Sequence, residues 1–308
     1  MVKIVVVGSF VMDFIFKTPR RPLKGESVIG KSFNMAPGGK GANQAMQAAL
    51  LGAQVHMVGR VGADVFGDQI LESLSGAGVN VDYVKRDPAG TGCSAIVLDE
   101  DGDNSIVMVP CSNMVCRPED VVAAEEVIKQ ADMLLLQLEI PMKVNEKAVK
   151  IARKHNVPVI MDPAPACALE DFYYKNVQIM KPNETEAQIL SGMNVTDAAS
   201  AEEAAREISS RGVETVIVTL GSAGVLLLDK DKAVHVPTAK VDVVDTTAAG
   251  DSFTGGLAVF IAEGKPIEEA VRLANCVAAL STTRLGAQPS LPNRDAVEAF
   301  ISKCENGR

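Results

Sequence analysis

Short apolar runs and helical stripes alternate along most of the chain. Residues 4–7 are a β-branched run that stops at Gly8 and Ser9, the pattern of a strand buried on both faces of a parallel sheet. Similar runs occur at residues 55–58, 133–136, 157–161, 177–180 and 216–220. Stretches with helical spacing separate most of them. In GANQAMQAALLG the apolar positions Ala42, Ala45, Met46, Ala49 and Leu50 fall three and four apart, and Gly52 comes next where a C-cap would sit. Residues 65–74 and 119–128 carry similar stripes, and the chain closes with predicted helices over 249–263, 267–282 and about 294–302. Strands alternating with helices predict an α/β fold, a mostly parallel central sheet with helices on both faces.

Two regions break the alternation. Residues 14–35 and 92–110 have strand patterns without a crossover helix, and TGCSAIVLDEDGDNSIVMVP places two strands around an Asp101–Gly102 turn. Both are predicted as antiparallel strands of a small sheet outside the main one, a lid. The first holds GESVIGKS, residues 25–32, which matches a phosphate-binding loop letter for letter. That mechanism needs a buried strand before the loop and a helix at once after it. Here Pro19 and Pro22 precede the loop, and Pro37, Gly38 and Gly39 come after it too closely for a useful helix. Residues 28–35 are read as a lid strand, and the nucleotide is expected elsewhere.

Composition narrows the partners. A net charge of -9 over 308 residues leaves no basic footprint for nucleic acid. MVKIVVVGSF is too short and too lightly charged for a signal peptide, and no apolar run reaches membrane-spanning length. The six cysteines show no CxxC spacing and the three histidines are scattered. The expectation is a cytoplasmic protein with free thiols, no zinc site and no membrane span.

The most informative stretch is VVDTTAAGDSFTGG, residues 243–256. Ala248, Ala249 and Gly250 let a ligand approach the backbone where a helix begins, so unpaired N–H groups and the positive dipole end form an anion hole. Asp251, in the first turn, can accept a proton from an attacking hydroxyl, although acids also sit in first turns merely to complement the dipole. PGGKGAN offers Lys40, Asn43 and backbone N–H groups to a small polar ligand, or serves only as a glycine-rich hinge. PNETEA comes after a predicted strand and so lies where open α/β sheets bind ligands, but Asn183 and Glu186 also spell a helix capping box.

PGGKGAN, PNETEA, TLGSAGV, DTTAAGDSF and RLGAQPS occur in an order that closely resembles the ribokinase (PfkB) family of carbohydrate kinases, over nearly the whole chain. The resemblance implies a ribokinase-like three-layer sandwich, with residues 1–308 as one kinase domain whose β lid comes from about 11–37 and 90–112. It implies ATP-dependent phosphorylation of the 5-hydroxyl of ribose. A kinase of 2-deoxyribose, of another small sugar or of a nucleoside is the nearest alternative, and a non-catalytic sugar-binding regulator the alternative from another class.

The same resemblance distributes roles. Asp251 falls on the family's catalytic base, and Ala248, Ala249 and Gly250 on its anion hole. Asp13, Gly39, Lys40, Asn43 and Glu139 fall on sugar-binding positions. Asn183 and Glu186 lie near the phosphates and Mg²⁺, Glu186 through water; Thr219, Gly221, Gly224 and Asn275 match the nucleotide pocket. Asp245, Thr247, Ser281, Arg284, Gly286 and Ser290 match a loop pair that holds a monovalent cation, K⁺ being expected, and a homodimer through the lid is implied. Two departures stand out. Ala248 replaces the first glycine of GAGD, which is harmless if its φ is helical and negative. Val11 stands where many members carry an asparagine that contacts the sugar.

Overall fold

The computed structural model describes residues 1–100 and 104–306. Along the chain it forms β1 (Lys3–Val7), β2 (Val11–Lys17), β3 (Ser32–Gly38), α1 (Lys40–Leu50), β4 (Gln54–Gly62), α2 (Val65–Gly76), β5 (Val79–Asp87), β6 (Gly92–Leu98) and β7 (Asn104–Val109). Next come α3 (Pro118–Ala123), α4 (Glu125–Lys129), β8 (Met133–Leu136), α5 (Met142–Lys154), β9 (Val159–Met161), α6 (Asp171–Asn176), β10 (Ile179–Met180), α7 (Glu184–Ser191) and α8 (Ala198–Ser210). The last elements are β11 (Thr215–Thr219), β12 (Val225–Asp229), β13 (Lys232–Val236), α9 (Ala249–Ala262), α10 (Ile267–Ser281) and α11 (Arg294–Asn306).

Nine strands build the main sheet in the order β13-β12-β11-β10-β9-β8-β1-β4-β5. It is parallel from β11 to β5, and β12 and β13 add an antiparallel edge. Successive side chains point to opposite faces, so Val5 and Val7 join one core cluster and Ile4 and Val6 the other. Helices α3 to α8 cover the first face; α1, α2, α9, α10 and α11 cover the second. Each fully buried aliphatic side chain contributes roughly 1.5–3 kcal/mol of transfer free energy. The sheet is therefore held from both sides.

The lid is a separate four-stranded sheet in the order β3-β2-β6-β7. Its two hairpin pairs are antiparallel as expected, and a parallel β2–β6 pair joins them. Phe14 ties the lid to the body through an edge-on contact with Phe66 of α2, ring centroids 5.2 Å apart. The Asp101–Gly102 turn lies outside the described residues. The expected strand over 28–35 is displaced. It begins at Ser32, while Ile29 stands 91% exposed in the preceding loop. Arg20 and Glu26 pair across that loop, and residues 21–31 form neither helix nor strand. No helix comes between Ser32 and Lys40, so the phosphate-loop spelling at 25–32 has none of that motif's structure.

Other elements shift as well. The predicted helix over 119–128 breaks at Ala124, where Ala124 N–H bonds back to Val121 and Val127 N–H to Ala124 in three-residue steps that tighten the turn. The run at 177–180 yields only the two-residue β10, and 157–161 yields β9 from Val159.

Candidate active site

Parallel strands deliver functional side chains from their carboxyl ends. β1 runs into Gly8 and Ser9, β8 into Gln137 and Glu139, β9 into Asp162, β10 into Lys181 and Asn183, and β11 into Gly221. Helix α1 starts against the first of these turns. A Cβ on Gly41 would lie 2.6 Å from Ser9 N, and Gly39 has φ 95°, so only glycine lets α1 begin this close to β1. That approach sets Lys40, Asn43 and Gln44 beside α9, which packs along α1.

Asp251 is the centre of the arrangement. It is 6% exposed, its Oδ2 accepts from Asn43 Nδ2 at 2.9 Å, and its Oδ1 accepts from Gln44 Nε2 at 3.2 Å. Burial pushes its carboxyl above the ordinary aspartate range against the pull of Lys40 and the Asn43 hydrogen bond, and nearby Asp162 pushes the same way. Lys40 stays firmly protonated: burial opposes its charge, but Asp251, Asp162, Glu139 and Glu186 surround it. Glu139 accepts from Ser9 Oγ and from Lys40 N at 3.2 Å, and burial raises its carboxyl too. Asp13, on β2, accepts from Ser94 Oγ; burial outweighs that bond and lifts its carboxyl, with Asp251 adding to the rise. Val11 opens β2 and is 4% exposed. Asp13, Lys40, Asn43 and Glu139 thus gather around Asp251 from the lid, α1 and the turn after β8.

The stretch expected to form an anion hole begins at Ala248. Ala248 has φ 61° and ψ 11°, in the left-handed region, so the condition under which alanine there is harmless, a helical negative φ, is not met. A left-handed alanine is disfavoured by roughly 1–2 kcal/mol. The packing of α9, buried from Asp251 to Phe260, holds it there. Ala249 N–H reaches Thr246 O at 3.2 Å, and Ser252 N–H is the first to bond a helical carbonyl, that of Ala248 at 2.8 Å. Gly250 and Asp251 N–H stand between, in the turn where a helix has no carbonyl to offer them.

On the far side, Asn183 and Glu186 form both halves of a capping box at α7, each bond 2.8 Å. Burial, then the charge of Asp162, raises the Glu186 carboxyl. Asn183 bridges in parallel to Thr219, and Gly221 and Gly224 bound the turn after β11 with φ 50° and 99°. A Cβ on Gly224 would lie 2.2 Å from Val236 O, so this turn closes only on glycine. Asn275 of α10 donates to Pro237 O at 3.1 Å beside a recess shared with Thr238 and Cys276.

The proposed cation loops meet through Asp245. Its Oδ1 accepts from Thr247 N at 2.9 Å and Thr247 Oγ1 at 2.6 Å, and its Oδ2 from Gly286 N at 2.8 Å. These bonds outweigh burial and hold its carboxyl below the usual range. Val244 and Asp245 N–H also bond Thr282 O. The hydroxyls of Ser281 and Ser290 turn inward, to Ser252 Oγ at 3.0 Å and Ala287 O at 2.8 Å, while Arg284 is exposed. Among the described residues, no three His, Cys, Asp or Glu side chains group to cage a metal ion.

Three members of the cluster have no role assigned from sequence: Gln44, Asp162 and Lys181. Asp162 and Lys181 pair at 3.0 Å in the core of the site, and Gln44 Nε2 reaches Asp162 Oδ2 at 2.9 Å. Each charge sits directly after a predicted strand, which is the available signal.

The model for "pfkB family carbohydrate kinase" matches residues 1–294. The chain belongs to the pfkB family of carbohydrate kinases. It is 42% identical to the ribokinase of Bacillus subtilis over 301 residues, 97% of this chain and 99% of that one. It is 36% identical to the deoxyribokinase of Salmonella typhimurium, also over 301 residues, covering 97% and 98%. The structure of Arabidopsis thaliana ribokinase complexed with ribose and ATP superposes with a TM-score of 0.90 at 36% identity, covering 98% of this chain and 99% of that one. The ribokinase-like fold and the carbohydrate kinase class are thereby those of this pfkB chain.

Proposed function

We propose that this kinase transfers the γ-phosphoryl group of ATP to the 5-hydroxyl of D-ribose. The observation that carries the reading is Asp251, an ionisable buried carboxylate one residue from free N–H groups at the start of α9 and bonded by Asn43. Asp251 takes the hydroxyl proton, the N–H groups face the transferring phosphoryl, and Lys40, Asn43, Asp13 and Glu139 orient the sugar. The B. subtilis and A. thaliana relatives support ribose and ATP. The test is ADP release with ATP and a panel of pentoses, hexoses and nucleosides. Turnover of ribose above the rest supports the reading; turnover of none sinks it.

One observation favours a second substrate. Val11 is apolar and buried at the start of β2, and a relative at 36% identity is a deoxyribokinase. A site that hydrogen-bonds a hydroxyl rejects the analogue lacking it, because its own polar group is left unpaired. Valine strands no such group, so 2-deoxyribose is a good substrate on this reading. Val11→Asn is expected to shift kcat/KM toward ribose by roughly 1–3 kcal/mol, the scale of one buried hydrogen bond. A wild-type preference for ribose of several orders of magnitude, unmoved by Val11→Asn, removes residue 11 from sugar choice.

The remaining assignments belong to the same reading. Glu186 suits Mg²⁺ held through water and nucleotide phosphates, the mode that needs no all-protein cage. The Asp245-bridged loops, with the carbonyls of Thr247, Arg284 and Gly286, suit K⁺, which when bound would stiffen the anion hole. Residues 1–308 act as one domain with the lid from about 11–37 and 90–112. One face of the lid exposes Phe16, Phe33, Met35 and Val107, a surface suited to a second lid in a homodimer. The six cysteines form no disulfide among the described residues, which fits a reducing cytoplasm.

A further inference from the structure

The ion pair between Lys181 and Asp162 has no part in the chemistry derived so far. Their side chains are 4% and 2% exposed, and Lys181 Nζ lies 3.0 Å from Asp162 Oδ1. Close as it is, that contact is not an aligned hydrogen bond, since Asp162 Oδ1 has no hydrogen-bond partner. Asp162 is already served on its other oxygen by Gln44 Nε2 at 2.9 Å. The ammonium therefore holds donors that its partner does not take up. Those donors are open to a ligand that enters the site. The ammonium also acts on the carboxylates of Glu186 and Asp251, and it lies beside the start of α9. A Cβ on Gly250 would lie 3.4 Å from Lys181 Nζ, so the ammonium borders the N–H groups of the anion hole.

We propose that Lys181 contacts the transferring phosphoryl group, its ammonium held by Asp162 and donating to phosphoryl oxygens from the Gly250 side. In the transfer, the bond from the sugar oxygen to γ-phosphorus forms and the bond to the β–γ bridging oxygen breaks. The hydroxyl proton passes to Asp251, and the electron pair leaves with the nucleoside diphosphate. The carboxylates of Asp251, Asp162, Glu139 and Glu186 all act on Lys40 in this enclosure and would repel the incoming phosphates. Lys181 supplies a second cation at the point of transfer.

The inference rests on the kinase reading, and the experiment separates the two. Lys181→Met and the double variant Lys181→Met/Asp162→Asn are compared with wild type. The measurements are kcat, KM for ribose, calorimetric affinity for a non-hydrolysable ATP analogue and for ADP, and melting temperature. The double variant removes the pair together, so it stays folded where the single variant strands a buried carboxylate. A phosphoryl-contacting Lys181 predicts a loss of about 10²-fold in kcat in the double variant, as for one lost oxyanion donor. KM for ribose stays within about twofold, and analogue affinity falls more than ADP affinity. A folded double variant with wild-type kcat and an unchanged preference between analogue and ADP overturns the proposal and leaves Lys181 as a neutraliser of Asp162. A wild-type chain that phosphorylates no sugar overturns the kinase reading as well.

Discussion

Residues 25–32 and 245–252 both look like cradles for a phosphate, and they have opposite fates in the fold. The first, GESVIGKS, carries the full spelling of a phosphate loop, yet it lies in a largely exposed loop that leads into β3. Its Lys31 is exposed and pairs with Glu100, an arrangement worth roughly 0–1 kcal/mol at a protein surface. The second, DTTAAGDS, matches no such template, yet it opens α9 beside buried Asp251, Asn43 and Gln44. Backbone donors serve a ligand when the fold denies them water and carbonyls together. The element downstream of the small residues, a lid strand in one case and a buried helix in the other, makes that difference.

The largest expected effect that could break this contrast is at Asp251. Asp251→Asn is expected to lower kcat by about 10² to 10⁴ while sugar binding survives, because the amide keeps the shape but cannot take the proton. Near-normal turnover would reduce Asp251 to a dipole-complementing acid. The pH profile sharpens the point. Burial raises this carboxyl above its ordinary value of 3.8, and the base must be ionised, so kcat/KM should fall as pH drops through the raised value. An acid limb at or below 3.8 would contradict the assignment.

A smaller effect is expected at Ala248. Ala248→Gly relieves the left-handed backbone but enlarges the freedom of the unfolded chain, for a net gain of about 1 kcal/mol in urea unfolding. A loss of stability would mean that the alanine methyl packs usefully at the mouth of α9. The smallest is at Lys31. Lys31→Ala should leave KM for ATP within about twofold and stability within about 0.5 kcal/mol; a large loss of ATP affinity would restore residues 25–32 as a nucleotide site.

The buried strands are legible in the sequence because both their faces are apolar: β1, β4, β8 and β11 all fall on the expected runs. The helices lining the second face, α1, α2, α9 and α10, are legible from their stripes. The edges are not. In β5, VNVDYVKRD mixes charges into a half-exposed strand, and β12 and β13 turn back through Lys230 at φ 53°, a reversal that no glycine advertises. In the site, the grouping of Asp251, Lys40, Asn43 and Glu139 can be read from the motifs. The Asp162–Lys181 pair cannot, because a buried charge pair exists only once two strand ends are brought side by side. Ala248 departs from expectation for a related reason: its φ is set by how the loop after β13 enters α9, not by its neighbours in sequence.

The parallel seam in the middle of the lid has a consequence for how the molecule comes into being. Val11 pairs with Gly92 and Lys17 with Leu98, so the seam encloses β3, α1, β4, α2 and β5. Closing so long a loop carries an entropic penalty that the hairpins cannot meet alone, since an isolated two-stranded ribbon is marginal in water. During synthesis β2 and β3 emerge first, and one side of β2 stays unpaired until β6 follows. The lid thus depends on the elements inside that loop to bring its two hairpins together, and until the seam closes the free edge of β2 is open to pairing with another chain.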